Sequence, residues 1–107
     1  HIDDINLNIE KAIPCGLILN ELVSNSLKHA FPENEIKDPR ISIFMKENDG
    51  QIHLSISDNG VGLPENYDPD TAQSMGMSLV PLLVNQLNGT MKIDTAKGTE
   101  YHIYFKR

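Results

Sequence analysis

Strict alternation of apolar and polar residues picks out five short runs, each reading as a strand with one buried face. Ile5, Leu7 and Ile9 alternate with asparagines. Ile41, Ile43 and Met45 alternate with Ser42, Phe44 and Lys46, and Ile52, Leu54 and Ile56 with His53, Ser55 and Ser57. Met91 and Ile93 form a fourth run, and Tyr101, Ile103 and Phe105 a fifth. Asn48-Asp49-Gly50 joins the second run to the third, and Ala96-Lys97-Gly98 joins the last two; both read as hairpin turns. One-faced strands with short connections predict a mostly antiparallel sheet covered on one side only.

Two helical stretches are available as the cover. The first is expected to start after Ile13, with Pro14 in its first turn, and to end before Pro32. Leu19, Leu22, Val23, Leu27 and Ala30 recur at helical spacing and predict its buried face. The second runs from about Ser78 to Asn88 and stops at Gly89. A proline inside a helix costs about 3 kcal/mol, so Pro81 is expected in the first turn, leaving Met75, Gly76 and Met77 in the preceding loop. The pattern predicts an α/β fold, a two-layer sandwich with a mixed, mostly antiparallel sheet and helices on one face.

Composition and charge narrow the classes. The 107 residues, 39% hydrophobic and 22% charged, suffice for one domain with its own core. No apolar run nears the ~18 residues of a membrane span, so no membrane contact is expected from this stretch. A net charge of −6 disfavours a nucleic-acid surface. The lone Cys15 cannot close an internal disulfide, and a packed thiol in a reducing, cytoplasmic setting is expected. A start at His1 rather than Met reads as a fragment of a longer chain, whose remainder is free to carry a membrane anchor. His1, His29, His53 and His102 show no metal-ligand spacing, and alternation puts His53 and His102 on the wet face.

Three segments carry candidate chemistry. Glu21, Asn25 and Lys28 fall within about 60° of one another on the first helix, in a row opposite the expected apolar stripe. Leu17 and Ile18 continue that row one turn earlier. A solvated face explains such a row; so does a site where an asparagine oxygen faces a hard cation. Asp58-Asn59-Gly60-Val61-Gly62-Leu63-Pro64 follows the third strand, where two glycines let main chain approach a flat ligand. The same residue types also make an ordinary surface turn. Ser74-Met75-Gly76-Met77-Ser78 leads into the second helix, whose free amides suit phosphate oxygens. In so acidic a chain, a polyphosphate needs local donors and a metal rather than a basic field.

With these segments placed, the chain resembles the ATP-binding domain of sensor histidine kinases, within the wider family that holds DNA gyrase, Hsp90 and MutL. Glu21 to His29 resembles the N box, Asp58 to Gly62 the G1 box, Ser74 to Leu79 the G2 box, and Gly98-Thr99 the terminal glycine-threonine. The order and spacing span nearly all of the sequence. The resemblance implies the two-layer Bergerat-type fold, ATP and Mg²⁺ as cofactors, and Asn25 as the metal ligand. It implies that Asp58 accepts the adenine amino group with support from Thr99. It further implies that Gly60 and Gly62 pack against the nucleotide, that the amides of Gly76 and Met77 hold phosphate oxygens, and that Lys28 neutralises them. Glu21 is the catalytic candidate beside Asn25, since a glutamate here activates water in the gyrase branch.

The implied partners are a histidine-bearing helical dimerisation domain on the same polypeptide, acting in a dimer, and, indirectly, a response regulator. The alternative is an ATP-dependent regulatory module: a gyrase-like ATPase, an anti-sigma-like serine kinase or a nucleotide binder without transfer. The sequence departs from the family pattern in three places. Ser74 replaces the first glycine of G-x-G, and only thirteen residues, none of them Phe, separate Gly62 from Gly76. The chain is similar to the HWE subgroup but has no Trp for its W-x-E signature.

Overall fold

Asn8 opens the first element. Its backbone is extended and its side-chain oxygen accepts from the Lys11 amide at 3.2 Å, capping α1 (Ile9–Asn25). The computed structural model describes residues 7–27, 38, 40–60, 75–95 and 98–107, with main chain alone at 75–78. After α1 come β1 (Ile41–Asn48), β2 (Gln51–Asp58), α2 (Met75–Gln86), β3 (Thr90–Asp94) and β4 (Thr99–Lys106). The sheet order is β1-β2-β4-β3, and every pairing is antiparallel among the described residues. Asp49 (φ 53°) and Gly50 (φ 80°) make the β1–β2 turn with two left-handed residues, which matches the twist of a tight hairpin.

Alternation set the faces as expected. Met45, Ile52, Leu54, Ile56, Tyr101, Ile103 and Phe105 are buried under the helices, which contribute Cys15, Ile18 and Leu22 from α1 and Val80 and Val84 from α2, with Leu87 just past the end of α2. On the outer face stand Lys46, His53, His102 and Tyr104, half-buried or exposed. No helix among the described residues is long and apolar enough to cross a membrane. Burial raises the Cys15 thiol above its ordinary range, as a packed cysteine requires.

Four local expectations need correction. The alternation at Leu7 and Ile9 is not a strand: Ile9 is the first residue of α1, because Asn8 supplies a cap that the alternation concealed. Ile5 lies outside the described residues. Pro14 is not in the first turn but sixth in α1, and Pro81 is seventh in α2, so Met75, Gly76 and Met77 are helical. For α2, Val80 directly before Pro81 is fully buried, and that burial, worth roughly 1.5–3 kcal/mol, offsets much of the ~3 kcal/mol of an interior proline. The buried stripe of α1 is rotated from the expected one. Ile18 is fully buried while Leu27 is 64% exposed, and Ala30 lies outside the described residues. At 100° per residue Asn25 lies within about 20° of Ile18, so the polar row extends the core stripe rather than opposing it. Finally, Asn88 (φ 54°), not Gly89, takes the left-handed position after α2. Gly89 follows it and donates to the Val84 carbonyl at 3.0 Å, closing a Schellman turn. A Cβ on Gly89 would sit 2.6 Å from the Tyr104 carbonyl oxygen, so close packing on β4 accounts for the glycine.

Candidate functional site

The end of β2, the start of β4 and the last residues of α1 meet at Asp58. Register puts Asp58 opposite Thr99, and both are buried, at 6% and 3% exposure. A buried carboxylate is tolerated only when hydrogen-bonded. Asp58 Oδ2 accepts from the Ser26 hydroxyl at 2.8 Å, while Oδ1 accepts from the amides of Gly60 at 2.9 Å and Thr99 at 3.2 Å. These three donors occupy three of about four acceptor positions that an ionised carboxylate offers. Among the described residues, one acceptor position therefore remains for a further donor.

Each donor depends on local structure. Ser26 continues α1 beyond Asn25 with helical backbone angles, which turns its hydroxyl into the core toward β2. Gly60 is reached because Asn59 is tied down: its Oδ1 accepts from the Arg40 amide at 2.7 Å and its Nδ2 donates to the Asp38 carbonyl at 2.7 Å. Thr99 is brought in by Gly98, whose φ of 79° turns the chain into β4. A Cβ on Gly98 would overlap the Asp58 carbonyl and lie 3.1 Å from the Asn59 Cα. Only glycine allows that approach.

Asn25, one residue before Ser26, is half-buried, and its Nδ2 donates to the Tyr101 hydroxyl at 3.3 Å. Its Oδ1 has no donor among the described residues, which leaves a neutral oxygen of the kind Mg²⁺ accepts. Glu21 is half-buried one turn earlier on α1. Gly76 and Met77 stand in the first turn of α2, where the first four amides have no intrahelical partner and no acidic residue competes. The structure thus joins Asp58, Gly60 and Thr99 in one network and sets Asn25 beside Ser26, a member of that network. Lys28 and Gly62 lie outside the described residues.

Two members of the site escaped sequence reasoning. Ser26 reads as one more polar helix residue, and Tyr101 as a core strand position; only their partners give them a role. A hydroxyl directly after a candidate ligand asparagine was the available signal. Among the described residues, a shallow depression lined by Pro81, Leu82, Val84 and Met91 lies between α2 and β3, away from Asp58 and its partners.

The chain matches known proteins over most of its length. The family model described as "Histidine kinase-, DNA gyrase B-, and HSP90-like ATPase" matches residues 10–107. The blue-light-activated histidine kinase 2 of Erythrobacter litoralis is 29% identical over 99 residues, covering 91% of this chain and 28% of that protein. Sensor histidine kinase PdtaS of Mycobacterium tuberculosis is 25% identical over 92 residues, covering 85% of this chain and 18% of that protein. The chain therefore spans less than a third of these curated relatives. The solved histidine kinase domain of the Erythrobacter litoralis EL346 blue-light activated histidine kinase superposes with a TM-score of 0.89 at 25% identity, over 99% of this chain and 49% of that one. Acinetobacter baumannii histidine kinase AdeS shares the fold, with a TM-score of 0.72 at 17% identity over 88% of this chain and 46% of that one. With the matched region running through α1, Asp58 and the Gly98-Thr99 turn, the chain belongs to the family of histidine kinase-, DNA gyrase B- and HSP90-like ATPases.

Proposed function

We propose that residues 1–107 are the ATP-binding catalytic domain of a sensor histidine kinase, working in the cytoplasm. The domain binds Mg-ATP and presents the γ-phosphoryl group to a histidine on a separate helical dimerisation domain of the same polypeptide, from which it passes to a response regulator. The observation that carries this reading is the Asp58 carboxylate, buried and, among the described residues, held by three donors with one acceptor position left. A carboxylate held this way accepts the exocyclic amine of adenine and rejects the carbonyl of guanine. Thr99 keeps Asp58 aimed, and Gly60 and Gly62 let the main chain lie against the base. Asn25 supplies a neutral oxygen to Mg²⁺, which offsets phosphate charge when bound. The amides of Gly76 and Met77, with Lys28, hold the phosphate oxygens. Transfer to an imidazole needs positioning and charge neutralisation more than a strong protein base.

Calorimetry with ATP and GTP, with and without Mg²⁺, tests the reading. ATP binds at least about tenfold more tightly than GTP, and Asp58→Ala removes that preference, since a hydrogen bond to a charged group is worth about 1.5–3 kcal/mol. Asn25→Ala abolishes the Mg²⁺-dependent part of binding and leaves the adenine preference. The chain alone forms no phosphohistidine, and a supplied histidine-bearing helical domain receives phosphate. Equal affinity for GTP would overturn the role of Asp58. If Glu21→Gln abolished ATP hydrolysis and no helical domain accepted phosphate, a gyrase-like ATPase would replace the kinase.

A further inference from the structure

On the outer face of the sheet, away from Asp58, two histidines from different strands meet. His53 Nε2 of β2 lies 3.0 Å from His102 Nδ1 of β4, the two rings 5.3 Å apart at their centroids. Their strands are paired with His53 opposite Tyr104 and Ser55 opposite His102, so backbone register holds the two rings as diagonal neighbours. Each ring is oriented from its other side. His53 stacks on Tyr104 with centroids 4.5 Å apart and planes at 15°. His102 Nε2 faces Glu100 Oε2 at 3.3 Å. A carboxylate at Nε2 keeps the hydrogen there, so the Nδ1 lone pair of His102 points to His53.

We infer that His53 and His102 form a two-histidine chelate for a late first-row divalent metal ion, with Glu100 as the positioning residue behind His102. Two metal–nitrogen bonds of about 2.0–2.1 Å separate their nitrogens by roughly 2.9 Å at a right angle and 3.4 Å at the tetrahedral angle. The observed 3.0 Å lies inside that range. The rings now share one hydrogen. Binding requires His53 to lose its Nε2 hydrogen and take one at Nδ1, so both rings stay neutral and no net proton is released. Imidazole χ2 wells are broad, and modest ring rotations turn the lone pairs from facing each other to converging on one ion. The carboxylate–histidine–metal order is the usual outer-shell arrangement for a metal-bound imidazole. Among the described residues no group of three or more His, Cys, Asp and Glu is placed to hold a metal, so water fills the remaining positions. Lys46 and Lys92 stand on the flanking strands, opposite His53 and His102 respectively, and disfavour a large excess of positive charge. With two imidazole nitrogens as its protein donors, the site takes a nitrogen-loving ion, Cu²⁺ ahead of Ni²⁺ and Zn²⁺, and does not take Mg²⁺.

The test titrates the chain with Zn²⁺ and with Mg²⁺ by calorimetry, and maps Cu²⁺ by paramagnetic broadening of amide signals. Zn²⁺ binds with one-to-one stoichiometry, His53→Ala and His102→Ala each weaken it at least about tenfold, and Glu100→Ala weakens it about tenfold. Broadening by Cu²⁺ at low stoichiometry centres on residues 53 and 102. Thermal unfolding without metal, unchanged within a few degrees in the variants, shows that folding is intact. A variant that loses its fold is replaced by the corresponding glutamine substitution, which retains a polar outer-face side chain. Zn²⁺ affinity unchanged by His102→Ala, or broadening centred at the amino-terminal His1, would overturn the site.

Discussion

Replacing Ser26 by alanine tests the network at Asp58 without touching the carboxylate. Ser26 is 3% exposed and its hydroxyl donates to Asp58 Oδ2 at 2.8 Å, well inside the usual range for an O–H donor. The substitution removes that donor from a carboxylate that water reaches poorly, at 6% exposure. A hydrogen bond to a charged group contributes about 1.5–3 kcal/mol, and the buried acceptor left behind cannot regain a partner from solvent. Gly60 and Thr99 still donate to Oδ1, so the loss stays near that range rather than rising to the cost of a carboxylate left with no partner. Urea unfolding of Ser26→Ala is expected to show a lower midpoint with an unchanged slope, giving a loss of about 1.5–3 kcal/mol. In a domain of this size each kcal/mol lowers Tm by about 4 °C or more. A double-mutant cycle with Asp58→Ala isolates the pair: the coupling should exceed about 1 kcal/mol, because each substitution removes the same bond. A Ser26→Ala loss below about 0.5 kcal/mol, or additive losses in the cycle, would refute the claim that Ser26 holds Asp58.

Gly98→Ala should destabilise the chain by more than about 2 kcal/mol in the same assay, since a left-handed φ and overlap with the Asp58 carbonyl add together, whereas Gly16→Ala, with open space around it, should not destabilise. Leu22→Ala, at a fully buried position on α1, should cost about 2–5 kcal/mol by calorimetric unfolding. Burial holds the Cys15 thiol above its ordinary value of 9.0, so the unfolded chain releases that proton first as pH rises. Stability should therefore fall as pH rises above about 9, and Cys15→Ser should flatten that slope. Native Cys15 should also alkylate far more slowly at pH 8 than in urea, as followed by mass spectrometry. His53 is held below its ordinary 6.5 by desolvation first, then by His102 and Lys46. The unfolded chain takes up that proton first as pH falls, so stability should drop as pH descends through about 6.5, with the His53 ring titrating below that value by proton NMR.

Much of this molecule was legible in its sequence because period-two alternation depends on the backbone alone. Ile41 to Met45, Ile52 to Ile56 and Tyr101 to Phe105 each declared a strand and its buried face, and Asn48-Asp49-Gly50 declared a turn that needs left-handed residues. The ordered boxes around Asn25, Asp58, Gly76 and Gly98-Thr99 declared the family, since residue type and spacing are sequence properties. Helix boundaries were a different matter. Pro14 and Pro81 looked like starts because interior prolines are costly, yet the Asn8 cap begins α1 earlier, and α2 begins at Met75 with Val80 buried directly before Pro81. The rotation of α1 about its axis was also undecided, because Leu19, Leu27 and Ile18 are equally apolar and only the sheet beneath selects which of them to bury. That rotation carries Ser26 to Asp58 and Asn25 to Tyr101, residues 32 and 76 positions away along the chain. Pairing of β2 with β4 likewise brings His53 to His102 across 49 positions. The sequence alone determined which residues are apolar, which can turn and which can ligate. Tertiary structure decided which of them meet, because partners so far apart in the chain are chosen by packing and register, and neither can be read from local spacing.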